Sequence, residues 1–168
     1  MTELYKLVER FNGLYYKKFS VFPFSGKVTG LQKGLIKNGK MEGEWITYHR
    51  KGQLNSKGNY KNGKREGEWV EFHDDGQLKC KSNHKNGKRE GAWICCYDNG
   101  QLFLKGNYKN GKQEGYWQSF NKDGTVVVAD TNTSRDGVDQ LKGVERISFT
   151  DTSLAFDIAG NAGASYRL

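Results

Sequence analysis

The sequence predicts an all-β fold, an elongated antiparallel β-meander of 24-residue hairpin repeats. Three observations predict it. Asn-Gly-Lys begins at Asn38, Asn62, Asn86 and Asn110; tryptophan stands at Trp45, Trp69, Trp93 and Trp117; glycine stands at Gly52, Gly76, Gly100 and Gly124. Each series keeps a spacing of 24 residues. A period of that length marks a unit that cannot bury its own apolar face and must stack on a neighbour.

The chain opens with a cap, residues 1–36. Leu4, Leu7, Val8 and Phe11 have helical spacing, with Asn12-Gly13 as a stop. Asn-Gly between β-formers is the stronger hairpin signal, and a two-residue turn there sets Phe11 opposite Leu14 and Glu9 opposite Tyr16. Pro23 marks an irregular edge. Gly34 and Ile36 precede Gly58 and Tyr60 by 24 residues, so residues 32–36 read as half of an earlier, degenerate repeat.

Residues 37–129 hold the four repeats, and each is punctuated twice. Asn-Gly suits a type I′ turn, which needs positive φ at both central residues. The second break, at Gly52, Gly76, Gly100 and Gly124, fits a longer turn with glycine in the left-handed position. Two turns in 24 residues leave two strands of about seven residues. A type I′ turn at Asn62-Gly63 sets Gly58 opposite Gly67, Lys57 opposite Glu68 and Ser56 opposite Trp69. The same rule sets Cys80 opposite Trp93, Leu78 opposite Cys95 and Leu104 opposite Trp117. Each tryptophan removes roughly 150 to 250 Å² from water, about 4 to 6 kcal/mol as an upper bound. Trp45, Trp69, Trp93 and Trp117 thus form a structural ladder that replaces a conventional core.

Residues 130–168 are a polar linker and a short β appendage. In the appendage Ile147 and Phe149 share one strand face, and Leu154, Phe156 and Ile158 share the next.

The net charge of +8 is uneven. Residues 1–32 carry five Lys/Arg and two acids, residues 33–124 eighteen and eleven, and residues 125–168 four and six. The repeats are therefore basic and the tail mildly acidic. Lys37/Lys40, Lys61/Lys64, Lys85/Lys88 and Lys109/Lys112 flank the type I′ turns and line one edge of the sheet. That edge attracts acidic protein or anionic membrane lipid, the latter at about 1 kcal/mol per cation held near the surface. Nucleic acid is the least favoured of these anionic partners. No apolar run approaches the roughly 18 residues of a membrane span, and the N-terminus carries acids where a signal peptide needs a basic start.

The pattern N-G-K-x-E-G-x-W-x-x-Y/F-x-x-x-G-Q-L-x-x-K-G-N-Y resembles the MORN-variant repeats of the bacterial YwqK family, whose members are often labelled as toxin-antitoxin antitoxins. The resemblance covers about residues 12–124 and implies a hairpin array used for interaction. Cys96, His84 and Ser82 depart from it, standing where an aromatic, a tyrosine and a glycine are usual. Residues 137–163 resemble the flanks of haemolysin-type calcium-binding repeats in large exported proteins. The calcium nonapeptide is absent from them, so no calcium site carries over.

Catalytic and cofactor chemistry finds no support in the residue pattern. His49, His73 and His84 are spread along the array, whereas a metal or a base needs converging groups. Glu42, Glu66, Glu90 and Glu114 form a row pairing with neighbours such as Arg65 and Arg89. Cys80, Cys95 and Cys96 read as free thiols in a reducing compartment; the register also brings Cys80 within about two residues of Cys95, which admits a cross-strand disulfide in an oxidising one. The expectation is a non-enzymatic scaffold for protein-protein interaction without cofactors. Edge-to-edge self-association, lipid binding and a role as an exported surface or adhesion component are the alternatives. Both a cytoplasmic location and export without an N-terminal signal remain open.

Overall fold

Asn-Gly turns bend the chain back on itself, and the computed structural model shows the result over residues 2–123, 125–130 and 138–142. Expectations that fall on residues 143–168 lie outside the described residues. Fourteen strands are described: β1 (Thr2–Glu3), β2 (Leu7–Glu9), β3 (Tyr15–Lys17), β4 (Gly26–Thr29), β5 (Gln32–Lys37), β6 (Lys40–Tyr48), β7 (Leu54–Lys61), β8 (Lys64–Phe72), β9 (Leu78–Lys85), β10 (Lys88–Cys96), β11 (Leu102–Lys109), β12 (Lys112–Phe120), β13 (Thr125–Asp130) and β14 (Val138–Lys142). From β4 to β14 each strand pairs with the next in sequence, and β1 joins β4 in parallel at the start of this twelve-stranded sheet. The parallel β1 is the one departure from an antiparallel meander. Strands β2 and β3 form a hairpin of their own.

That hairpin is where expected, but its turn is one residue longer. Glu9 faces Tyr15 rather than Tyr16, and the Arg10 N–H donates to the Leu14 carbonyl across Phe11-Asn12-Gly13. Asn12 Oδ1 accepts from the Leu14 N–H at 3.1 Å while Gly13 takes φ +70°, so the side-chain turn adds a left-handed residue.

The Asn-Gly turns in the repeats have positive φ at both central residues, from Asn38 (+49°) and Gly39 (+76°) to Asn110 (+53°) and Gly111 (+84°). Beside each turn the register follows the rule, with Lys61 opposite Lys64 and Tyr60 opposite Arg65. Beyond Asn59 it slips by two residues, which corrects the expected pairs. Trp69 faces Gly58 rather than Ser56, Lys57 faces Val70 rather than Glu68, and Ser56 faces Glu71. The same slip sets Cys80 opposite Cys95 in place of Trp93, and Ser82 opposite Trp93. It also sets Leu104 opposite Ser119 in place of Trp117. The cause is a bulge at the Glu-Gly step. Gly43, Gly67, Gly91 and Gly115 all lie at φ between +67° and +75°, a conformation only glycine adopts without cost, and each inserts extra backbone on the tryptophan-bearing strand.

The slip builds the core. One row across the sheet now reads Trp45, Gly58, Trp69, Ser82, Trp93, Gly106. Large rings alternate with small residues, and an indole lies flat where that small residue is glycine. A Cβ on Gly34, Gly58 or Gly106 would come within 2.4 Å of Trp45, Trp69 or Trp117 respectively. Tyr60, His84 and Tyr108 fill the gaps edge-on, with ring centroids 5.1 Å apart for Tyr60 and Trp69 and 5.1 Å for Tyr108 and Trp117. Edge-to-face contacts of this kind add about 0.5 to 1.5 kcal/mol each beyond burial. Leu7, Phe24, Val28 and Ile36 join Trp45 and Trp69 in one buried cluster at the N-terminal end.

Candidate interaction surfaces

Three parts of the molecule hold the residues singled out by the sequence: the two long edges and the aromatic face. The first edge carries the type I′ turns. Lys37 faces Lys40, Lys61 faces Lys64, Lys85 faces Lys88 and Lys109 faces Lys112 directly across each turn. Like charges directly opposite destabilise a sheet, so four such pairs are not there to hold it together. All eight lysines are exposed.

Three of the four acids on this edge are engaged in another task than pairing with a neighbouring Lys or Arg, which corrects the expected ladder at Glu42, Glu66 and Glu90. Glu42 Oε2 accepts from the Asn62 backbone N–H at 2.8 Å, Glu66 from Asn86 at 2.8 Å and Glu90 from Asn110 at 2.7 Å. Next to each, the Gly63, Gly87 and Gly111 N–H groups donate to the carbonyls of Met41, Arg65 and Arg89. Each of these three turns is thus docked on the previous hairpin by a charge-assisted bond and a backbone bond. In the first turn Ser25 Oγ accepts from Asn38, and Phe24 supplies the carbonyl for Gly39. After the last, Glu114 bridges Lys109 at 3.2 Å.

The second edge carries the longer turns, with Gly52, Gly76 and Gly100 at φ from +79° to +92°. His49 Nε2 donates to the Phe72 carbonyl at 3.1 Å and His73 Nε2 to the Cys96 carbonyl at 3.0 Å. His49 Nδ1 also lies 2.9 Å from Asp74 Oδ1. These histidines each tie one repeat to the next. They line a hollow of about 320 Å³ with Phe72, Asp74 and Asp75. Among the described residues no three His, Cys, Asp or Glu side chains converge as a metal site.

On the aromatic face the middle of the array differs from both ends. Cys80 and Cys95 are joined by a disulfide, and Cys96 is a free thiol. Three free thiols are therefore replaced by one bond and one thiol, because the two-residue slip puts Cys80 directly opposite Cys95. His84 is 6% exposed and its Nδ1 has no hydrogen-bond partner. Burial, and then the charges of Arg65 and Arg89, hold its pKa below the ordinary imidazole value. The imidazole is accordingly neutral in the fold. Arg65 lies over the Trp69 ring at 4.2 Å, and Arg89 lies 5.1 Å from both Trp93 and Tyr108 while donating to the Tyr108 hydroxyl at 3.1 Å. Guanidinium groups thus lie over Trp69 and Trp93, the two middle rings of the ladder. Of the four ladder tryptophans, Trp45 and Trp69 are each 2% exposed and Trp117 5%, while Trp93 is half-buried.

Two features escaped the sequence reading. The Glu-Asn docking is signalled by the fixed 20-residue offset between each glutamate and the next asparagine. The bulge is signalled by the glycine that recurs two residues before every tryptophan.

Three segments, residues 41–62, 65–86 and 89–110, match a family model described as MORN repeat variant. The search of curated proteins finds no match. Among solved structures the chain is similar to one titled accessory secretory protein 1,2 and 3 in Streptococcus pneumoniae, at 14% identity over 72% of this chain and 21% of that one, with a TM-score of 0.27. It is also similar to a GtfA/B complex bound to UDP and GlcNAc, at 15% identity over 80% of this chain and 27% of that one, with a TM-score of 0.30. The chain thus spans about a quarter or less of the length of either. At those scores neither likeness bears on what this chain does.

Proposed function

We propose that this chain is a non-enzymatic repeat scaffold that holds an acidic protein partner along its lysine edge. One observation carries the reading: eight exposed lysines stand as four directly opposed like-charge pairs, a costly arrangement the fold does not need. MORN-type repeats are in general modules for protein or membrane-lipid interaction, which agrees with a binding role and names no reaction. Glu42, Glu66 and Glu90 are occupied by turn docking and leave the lysines beside them for a partner, while Glu114 bridges Lys109. The antitoxin role attached to the YwqK family is one form of this reading, in which the acidic partner is a toxin. Export beside calcium-repeat regions would make the partner extracellular, and the Cys80–Cys95 disulfide suits such an oxidising setting.

Poly-glutamate and phosphatidylserine vesicles test the edge directly. The full chain should bind poly-glutamate, with affinity falling as salt rises. Replacing Lys61, Lys64, Lys85 and Lys88 by Gln should weaken binding by about tenfold or more, at a few tenths of a kcal/mol per exposed charge. Vesicle flotation without poly-glutamate binding would transfer the edge to lipid, and binding of neither would remove the reading.

A further inference from the structure

One place on the aromatic face breaks a pattern that the next repeat keeps. Arg89 lies over Trp93 and Tyr108 and donates to the Tyr108 hydroxyl at 3.1 Å, nineteen residues further on. The same offset takes Arg65, which lies over Trp69 at 4.2 Å, to His84. An imidazole is shorter than a phenol and brings no hydroxyl, so the acceptor that serves Arg89 is missing for Arg65. Met41 and Gln113 hold the corresponding places in the outer repeats, which leaves Arg65 as the one arginine of the series without a phenol to serve it. Glu71 Oε1 lies 3.8 Å from Arg65 Nη1, too far for a hydrogen bond, and both side chains are more than a third exposed. The other acids of β8 are spent elsewhere, Glu66 on the Asn86 N–H and Glu68 on Lys81. His84 itself is buried with an unpartnered Nδ1, whereas its sister rings Tyr60 and Tyr108 are half-buried. Arg89 faces His84 directly across β9 and β10, so a second guanidinium-bearing residue borders the same place.

We infer that Arg65, Trp69 and His84 form an oxyanion-binding site, in which the Arg65 guanidinium takes the two oxygens of a carboxylate where the next repeat has the Tyr108 hydroxyl. Stacking on the indole holds the guanidinium plane and leaves its N–H groups, which lie in that plane, to an acceptor. A planar fork of two parallel donors matches a carboxylate, and such charge-assisted pairs are stronger than neutral hydrogen bonds. Glu71 is the competitor that the incoming anion displaces. The source of the carboxylate is an acidic side chain of the partner, an assignment that rests on the reading of the lysine edge. Arg65 directly follows Lys64, so the site adjoins that edge and adds what the edge lacks. The lysine pairs recur every two strands, about 9.6 Å, so charge alone gives an acidic partner several equivalent positions. A single site at His84 fixes one of them.

The test titrates acetate, and separately inorganic phosphate, into the full chain at fixed pH and ionic strength, with side-chain NMR signals as the readout. Acetate should move the His84 ring signals saturably and leave those of His49 and His73, on the second edge, in place. Arg65→Gln should weaken acetate binding about fivefold or more on the His84 signals. His84→Tyr should abolish it on the Arg65 Nε–H signal, because a phenol hydroxyl then occupies the place of the anion. Gln113, Tyr60 and Tyr108 hold the matching positions of sister repeats, so both variants place at these sites residues that the array already accommodates. Glu71→Gln removes the competitor and should tighten binding about two- to threefold. A His84 signal that moves no more with acetate than with chloride, or undiminished binding in His84→Tyr, overturns the site. Phosphate saturating at about tenfold lower concentration than acetate overturns the carboxylate and gives the site to a phosphoryl group. Saturable acetate binding by a chain that does not bind poly-glutamate keeps the site and removes the acidic partner as its source.

Discussion

Trp69 and Trp93 occupy the same position in successive repeats, and the sheet holds them differently. Trp69 lies over Gly58, is 2% exposed and donates its indole N–H to the Asn59 carbonyl at 3.1 Å, as Trp45 does to Leu35. Trp93 stands over Ser82, is half-buried and has no corresponding bond among the described residues. It leans toward the C-terminal end instead, with its ring centroid 5.4 Å from Trp117. Between the two sites the small residue before the ring changes from Gly58 to Ser82, and the ring two residues on from it changes from Tyr60 to His84. A Cβ on Gly58 would lie 2.3 Å from Trp69, so the indole can lie flat only over a glycine. Ser82 supplies that Cβ, and Trp93 tilts away. The lesson is that the ladder is set by the small residues between the rings as much as by the rings.

The contrast can be sharpened by removing each ring. Trp69→Ala should cost about 3 to 5 kcal/mol, and Trp93→Ala roughly half of that, since less of its area leaves water. Urea unfolding midpoints measure both, and equal costs would break the comparison. Next in size, Gly58→Ala should destabilise by about 1 to 3 kcal/mol through overpacking against Trp69. Ser82→Gly should shift Trp93 emission to the blue as that ring settles. An unshifted spectrum would mean that Ser82 is not what tilts Trp93.

The smallest effect concerns pH at the same junction. His84 has its pKa lowered in the fold from 6.5, chiefly by burial and then by Arg65 and Arg89. Between that value and the lower folded one, the unfolded chain binds a proton that the native chain does not. Stability is therefore complete above about pH 6.5 and declines as pH falls through this window. His84→Tyr, the residue of the sister repeats, should flatten urea midpoints measured between about pH 7.5 and 5.5. An unchanged slope would assign the acid sensitivity to another group.

Much of this was legible in the residues, and the misses share one cause. Asn38-Gly39 and its three successors announce the turns because left-handed backbone at two consecutive positions admits few residue pairs. Trp69 and Tyr60 announce the apolar face by period. The register away from the turns was not legible, since it assumed unbroken pairing while Gly67 and its equivalents break it. Setting Gly58 opposite Gly67 treats Gly67 as an ordinary strand position, whereas its φ of +69° makes it a bulge. Correcting that one conformation moves every later pair by two and brings Cys80 to Cys95. The lysine edge was readable because solvent-facing turns need no packing information. The helper role of Glu66 was not, because its acceptor function depends on a backbone N–H twenty residues away.

The docking of each Asn-Gly turn on the hairpin before it makes length a countable property. Donor and acceptor recur at fixed offsets, so a whole unit of 24 residues could be inserted or deleted and every surviving turn would still find its glutamate and carbonyl. Each unit advances the array by two strands, about 9.6 Å. The molecule is thus a ruler graduated in repeats, on which a duplication in the chain would move two bound partners apart by whole divisions.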